Sequence, residues 1–305
     1  MYHYVRNLKS KEQVADFLKN IVEVDCSEQE FQKYVQLVYT YETEFRTAYN
    51  KQTLYDKSLR DPQHSEDLQR EFLGKVILQD LLTLPVLDNE INISQGIGGS
   101  LPSSLKPREE RQAYYIIGLP ASGKSCIANI LSIMYSACVI DIDIAARKFP
   151  EYPQIYGSCV THSEANRIVF GTGRKGFDNS LFNICINRGW NIVIPKIGNK
   201  IEVINNLTTK LLENKYSIHL LLTKIDRKTS VKRSFERFLS TQRYVSLPMI
   251  FDWYANDPSL AYYELRNYGK FFSSYEAISF EGKPQIIDKS NNAPLQSVEN
   301  LCFRR

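Results

Sequence analysis

Residues 118 to 125 read Gly118-Leu119-Pro120-Ala121-Ser122-Gly123-Lys124-Ser125, a complete match to the pattern G-x-x-x-x-G-K-[ST]. The apolar run Ala113–Ile117 comes directly before it, and the helix-compatible stretch Cys126–Tyr135 follows. A loop that cradles phosphate needs those flanks. A strand delivers the chain, glycines let backbone N–H groups curl inward, and a helix turns its N-terminus toward the anion. Fixed spacing and flanks together argue against an ordinary glycine-containing turn. The pattern implies a bound nucleoside triphosphate, read as ATP, with Lys124 on the outer phosphates and the Ser125 hydroxyl on Mg²⁺.

That loop demands an α/β frame, and the rest of the chain supplies the pattern for one. Short apolar runs at Ala113–Gly118, Ala137–Ile142, Asn191–Ile194 and Ile218–Thr223 alternate with helix candidates at 124–135, 163–170, 178–188 and 201–214. Such alternation predicts a parallel sheet with helices on both faces and a ligand at the carboxyl ends of the strands. Further on, Ser230–Thr241 and Ile250–Gly269 read as helical, and Ser279–Lys289 as a late strand. The first 85 or so residues are helical instead: 11–22, a longer helix capped by Ser27 with Glu30 three positions on, and 68–84. Between the two textures, 94–108 is rich in glycine, proline and serine. The expected organisation is a helical N-terminal region over 1–93, a linker over 94–108, and a P-loop kinase-like domain over 109–305.

Two groups of charged residues are candidates for chemistry. The run 137–142 leads into Asp141-Ile-Asp143. Alternation along a strand would put both carboxylates on one side, Asp141 suited to a metal and Asp143 to taking a proton from an attacking hydroxyl. Solvated acids capping the next helix would give the same letters. After the last core run come Lys224, Arg227, Lys228, Lys232, Arg233, Arg237 and Arg243. Arg233 and Arg237 share a helix face. Such residues either clamp a moving phosphoryl group or form an exposed basic surface.

The ordered set of motifs resembles the zeta toxin kinases over about residues 110 to 250. It comprises the phosphate loop, Val139-Ile-Asp-Ile-Asp143, Lys148-Phe-Pro-Glu-Tyr152, Thr161-His-Ser-Glu164, Gly189-Trp-Asn-Ile-Val-Ile194 and Lys215–Leu220. Arg233-Ser-Phe-Glu-Arg237 and Gln242-Arg-Tyr-Val245 complete it. That family is similar in fold to shikimate and other small kinases, and its best-known members phosphorylate a hydroxyl of UDP-N-acetyl sugars, such as UDP-N-acetylglucosamine, blocking cell-wall synthesis. The resemblance implies an ATP- and magnesium-dependent phosphotransferase acting on a small hydroxyl-bearing metabolite, with an antitoxin or other inhibitor as its protein partner. Carried across residue by residue, Lys124 and Ser125 hold phosphate and magnesium, Asp143 is the base, Arg237 and Arg243 contact phosphate, and Glu164 is an acid on the substrate side.

The departures concern the acceptor. Where the family has an acid followed by Gly-Thr, this chain has Pro195-Lys-Ile-Gly-Asn199. An apparent insertion around 170–178 carries Arg174 and Lys175, either as a lid over the substrate, where Arg174 would bind it, or as a long surface turn. The acceptor expected is thus a sugar nucleotide or a related metabolite held in a rewritten pocket.

Two other classes compete. Thr223-Lys-Ile-Asp226 matches a guanine-reading [NT]-K-x-D pattern, as in a signalling GTPase, yet no D-x-x-G lies between it and the phosphate loop. A nucleotide-binding pseudokinase regulated by its N-terminal helices is the other, weakened by the retention of Lys124, Ser125, Asp143 and Arg237. The N-terminal region itself reads equally as an inhibitory segment, a partner-binding module or a buttress. Composition trims the remaining classes. A net charge of +4 over 305 residues is too small for a nucleic-acid footprint, and no apolar run reaches membrane-spanning length. The start lacks a signal-peptide core, and six scattered cysteines form no C-x-x-C pair, which points to reduced thiols in a cytoplasmic protein.

Overall fold

The structure, a computed structural model, describes residues 5–48, 51–87, 95–155, 157–171, 179–268, 271–295 and 297–298. Helix α1 (Lys11–Phe17) starts at a Ser10–Gln13 capping box and runs on as a wide turn over Leu18–Val22. Helices α2 (Glu28–Ala48) and α3 (Asp67–Thr83) complete the N-terminal part. Then follow β1 (Gln112–Gly118), α4 (Lys124–Tyr135), β2 (Cys138–Val139), α5 (Ile142–Ala146), α6 (Gly157–Val160), α7 (His162–Phe170) and α8 (Leu181–Arg188). The chain continues through β3 (Ile192–Lys196), α9 (Ile201–Glu213), β4 (Ser217–Lys224), α10 (Arg227–Thr241), α11 (Asp257–Tyr268), β5 (Ser274–Ser279) and β6 (Gln285–Lys289).

The strands form one sheet in the order β2-β3-β1-β4-β5-β6, parallel throughout except for β6, which returns antiparallel to β5. Central strand β1 is buried from Ala113 onward because helices cover both sides. Its alternation sorts the layers. Ala113, Tyr115 and Ile117 face a core built with α3, α7, α8, α9 and α11, while Tyr114 and Ile116 face α4 and the tail residues Leu295 and Val298. A third core joins α1 and α2 to α10 through Val14, Phe17, Val35, Val38, Val231, Phe235 and Phe238.

Three expectations change. The run expected as strand over 137–142 is a strand only at Cys138–Val139, because Asp141 turns the chain by accepting the Asp143 N–H and capping α5. The late strand is a hairpin, β5 and β6. The long helix expected over 250–269 is a short wide turn at Met249–Tyr254 and then α11, broken where Ala255 takes a φ of 40°.

The glycine-rich stretch after 94 is packed where it is described. Its Ser100 carbonyl receives the Val139 N–H at 2.8 Å, extending the sheet edge, and Leu101 is buried. Helix α3 gives Ile77, Leu78 and Leu81 to the main core. Its Arg70 holds two buried carboxylates, Glu151 at 2.7 Å and Glu164, with Thr53 donating a further hydrogen bond to Glu164. The N-terminal part and the sheet are therefore one packed body.

Replacing Arg70 with Met should cost about 3–5 kcal/mol, because Glu151 and Glu164 would remain buried with no countercharge. Denaturant unfolding of the full chain measures this; a loss under about 1 kcal/mol, typical of a surface ion pair, would contradict the fastening role.

Candidate active site

The phosphate loop is shaped by β1 on one side and α4 on the other. A side chain at Gly118 would collide with Thr223 on the neighbouring strand β4. Ala121 and Gly123 both take left-handed φ angles, 54° and 94°, which curls the loop; the alanine does so at some cost in strain. Two bonds hold the curl. The Ser122 and Thr223 hydroxyls share a 2.6 Å hydrogen bond, and the Ser230 hydroxyl of α10 donates to the Pro120 carbonyl at 2.7 Å. Lys124, the first residue of α4, spans the loop and donates to the Gly118 and Leu119 carbonyls at 2.8 and 2.6 Å. Burial, reinforced by nearby Arg237, pushes its pKa down to about 7 against the opposing pull of Asp141 and Asp143.

This loop forms one wall of a cleft of about 710 Å³ at the carboxyl ends of the strands. Asp141, Asp143, Lys196, Arg237 and Arg243 reach it from the other elements. The two carboxylates do not lie on a strand as the alternation argument required. Asp141 is the cap of α5 and Asp143 lies in its first turn, so the helix-capping alternative describes Asp141, and both acids still face the cleft. Their environments diverge. Burial and the neighbouring Asp143 raise the Asp141 pKa. Burial also pushes Asp143 upward, but Arg243, Arg147 and Arg237 outweigh it and hold that carboxyl at about 2. Arg243 forms a direct ion pair with Asp143.

Not every residue expected at the site is brought there. Glu164 is buried against Arg70 and Thr53, held by the N-terminal part and turned away from the cleft lining. The acid assigned to the substrate side is thus a fastening group here, because a buried carboxylate goes to the nearest buried guanidinium. Arg174 and Lys175 lie outside the described residues. Arg233, one turn before Arg237, donates to the Phe280 carbonyl at 2.9 Å. The guanine-reading pattern dissolves as well. Thr223 is bonded to Ser122, and Asp226 caps α10 by accepting the Lys228 and Thr229 N–H groups.

Two residues at the cleft escaped sequence reasoning. Lys196 ends β3 within the segment already marked as divergent, Pro195–Asn199. Its ammonium sits 3.9 Å from the centre of the Phe170 ring, and burial lowers its pKa to about 8 against Asp141 and Asp143. Its position at a strand's carboxyl end was the available signal. Phe45 reaches the cleft from α2, and no local pattern could have placed it. His162, at the start of α7, also lines the cleft, with its pKa lowered by burial.

Oxygen donors suited to a hard cation are present: the Ser125 hydroxyl and the Asp141 carboxylate line the same part of the site. Among the described residues no three histidine, cysteine or carboxylate side chains cluster as a metal cage. That donor set fits Mg²⁺ arriving with a triphosphate, which keeps most of its ligands as phosphate and water.

Comparison with known proteins agrees with this architecture. A profile of the zeta toxin family matches residues 101–257, just over half of the chain. No curated protein matches significantly. Among solved structures, a chain of the PezAT chromosomal toxin–antitoxin system of Streptococcus pneumoniae superposes with a TM-score of 0.51 at 15% identity, covering 80% of this chain and 88% of that one. A chain of the native AvrRxo1-ORF1:-ORF2 complex overlaps with a TM-score of 0.41 at 13% identity, over 77% of this chain and 69% of the other. At such identity the first likeness speaks for the fold, and the second is too loose to add to it. No helix among the described residues is long and apolar enough to cross a membrane.

Glu164→Gln should lower the midpoint of thermal unfolding while leaving the KM for the acceptor unchanged, since the residue bonds Arg70 and not the cleft. A raised acceptor KM at unchanged stability would return Glu164 to the substrate side.

Proposed function

Because this chain belongs to the zeta toxin family, we propose that it is a cytoplasmic ATP- and Mg²⁺-dependent kinase that phosphorylates a hydroxyl of a sugar nucleotide or related metabolite. One observation carries the reading: Lys124 from α4, Asp143 from α5, and Arg237 and Arg243 from α10 and the segment just past its end converge on the cleft beside the phosphate loop. A protein that merely held a nucleotide would have no use for a carboxylate and two guanidinium groups at that spot.

The chemistry follows from charge. Phosphoryl transfer spreads negative charge over the moving group, so catalysis is mainly positioning and electrostatic stabilisation. Loop N–H groups and Lys124 hold the outer phosphates, and Arg237 meets the charge that develops in transit. Bound magnesium, held by Ser125 and Asp141, would neutralise phosphate oxygens. Asp143 orients the attacking hydroxyl and takes its proton. Its pKa near 2 makes it a weak base. A loose transition state demands little more, because the hydroxyl becomes acidic only late. Arg243, bonded to Asp143, keeps that carboxylate ionised and directed.

In the Pro195–Asn199 segment, Pro195 and Ile197 offer neither the acid nor the threonine expected there, and Lys196 and His162 line the cleft nearby, which supports an acceptor bound differently from a UDP-N-acetyl sugar. Family membership also supports an antitoxin-like inhibitory protein as partner.

Lys124→Ala should abolish phosphoryl transfer and leave the circular dichroism spectrum unchanged. Asp143→Asn should keep triphosphate binding and lose on the order of 10²-fold in kcat. Wild-type turnover in the lysine variant would end the kinase reading. For the acceptor, incubation with ATP and a metabolite extract should give one species heavier by a phosphate, and UDP-N-acetylglucosamine should be a poor substrate. A site lacking the hydrogen-bonding partners of a substrate discriminates against it strongly. Efficient phosphorylation of that sugar nucleotide would refute the altered pocket.

A further inference from the structure

Helix α2 lies wholly outside the span that matches the family, yet it grips the segment that carries Arg243. That segment begins where α10 ends. Gln242 takes a φ of 58° and donates its N–H to the Phe238 carbonyl at 2.8 Å, so the chain reverses. Arg243 follows, paired with Asp143. Polar groups of the residues just beyond then gather on one carboxylate of α2. The Tyr244 hydroxyl donates to Glu42 Oε1, and the Ser246 side chain and the Leu247 N–H lie beside the same carboxyl, where they favour its charged form. Glu42 is only 4% exposed. The Tyr244 ring is packed between Tyr41 and Phe238, with centroids 5.3 and 4.8 Å away.

A carboxylate buried this far is costly unless donors surround it. Burial raises the Glu42 pKa, and Tyr244, Ser246 and Leu247, with Arg46 one turn along α2, offset that only in part. For packing alone an apolar side chain would serve as well. What the carboxylate adds is direction: donors drawn from Tyr244 to Leu247 fix the backbone there, and with it the exit angle of the adjoining Arg243.

We infer that Glu42 is a positioning residue, clamping residues 244–247 so that Arg243 stays on Asp143 at the phosphate cleft. The N-terminal helices are then a built-in support of the active site and not a detachable inhibitor. The catalytic meaning of Arg243 rests on the kinase reading above; the clamp itself rests on the bonds to Glu42.

The test compares full-length Glu42→Gln and Tyr244→Phe with Glu30→Gln, which removes the charge from another tyrosine–carboxylate bond, to Tyr34, on the exposed side of the same helix. Both clamp variants should lose about 10- to 100-fold in kcat at unchanged ATP affinity, the scale of a small misplacement at a reacting centre. Glu30→Gln should turn over like the wild type. In an Arg243→Ala background the clamp variants should cost nothing further, because they act through that side chain. An equal loss in that background, or wild-type kcat in a folded Tyr244→Phe, would overturn the inference. The Tyr244→Phe variant keeps its ring packing and decides the matter if Glu42→Gln fails to fold. Hydrogen exchange gives an arm free of turnover: amides in 242–247 should exchange faster in Tyr244→Phe than in the wild type. Unchanged exchange there refutes the clamp even if the wild type phosphorylates nothing, a result that would instead sink the kinase reading.

Discussion

The site depends on how firmly the curled loop at 118–123 is gripped. A loop that turns its N–H groups toward a ligand cannot satisfy them with its own secondary structure, so its shape must be imposed from outside. Here the grip comes from β4 through Thr223 and from α10 through Ser230. Those two elements are joined by Ile225 and Asp226, and Asp226 caps α10. The same helix then carries Arg237 and delivers Arg243 just past its end. The grip on the loop and two of the cleft's guanidinium groups thus come from one strand–helix unit.

Electrostatics explains why the cleft needs its acids. Lys124, Arg147, Arg237 and Arg243 gather around the cleft, and burial first, then repulsion from Arg237 and Arg243, lowers the pKa of Lys124. Asp143 offsets part of it and becomes a very weak base in return. Asp141, beside another carboxylate, shifts the opposite way. Two acids two residues apart therefore acquire different characters from their neighbours alone, as divided roles in one site require.

Much of this was legible in the sequence, and what was not has specific causes. The loop, the order of strands and helices over 110–250, and the convergence of Lys124, Asp143, Arg237 and Arg243 rest on local patterns or fixed spacing, which sequence records directly. The strand at 137–142 was read too long because Ile140 and Ile142 look like strand residues, while the capping bond of Asp141 decides where the chain turns. Glu164 was misplaced for a different reason. Its fate is settled by Arg70, 94 positions earlier, and no periodicity connects them. Phe45 and Glu42 share that blindness: helix α2 announces itself, but the partner it packs on does not.

The same long-range contacts decide what the N-terminal region can be. An inhibitory segment must come away from the enzyme, and its interface must be weak enough to open. Helix α3 instead contributes Ile77 and Leu81, each at most 1% exposed, to the sheet's own core. Its Arg70 neutralises two carboxylates, Glu151 and Glu164, that belong to the family-matched span. Pulling it away would expose apolar core and strand both charges, a cost of several kcal/mol that no modest conformational signal supplies. The region also holds Glu164 away from the cleft and adds Phe45 to its lining. Release of these helices is therefore a costly route to regulation.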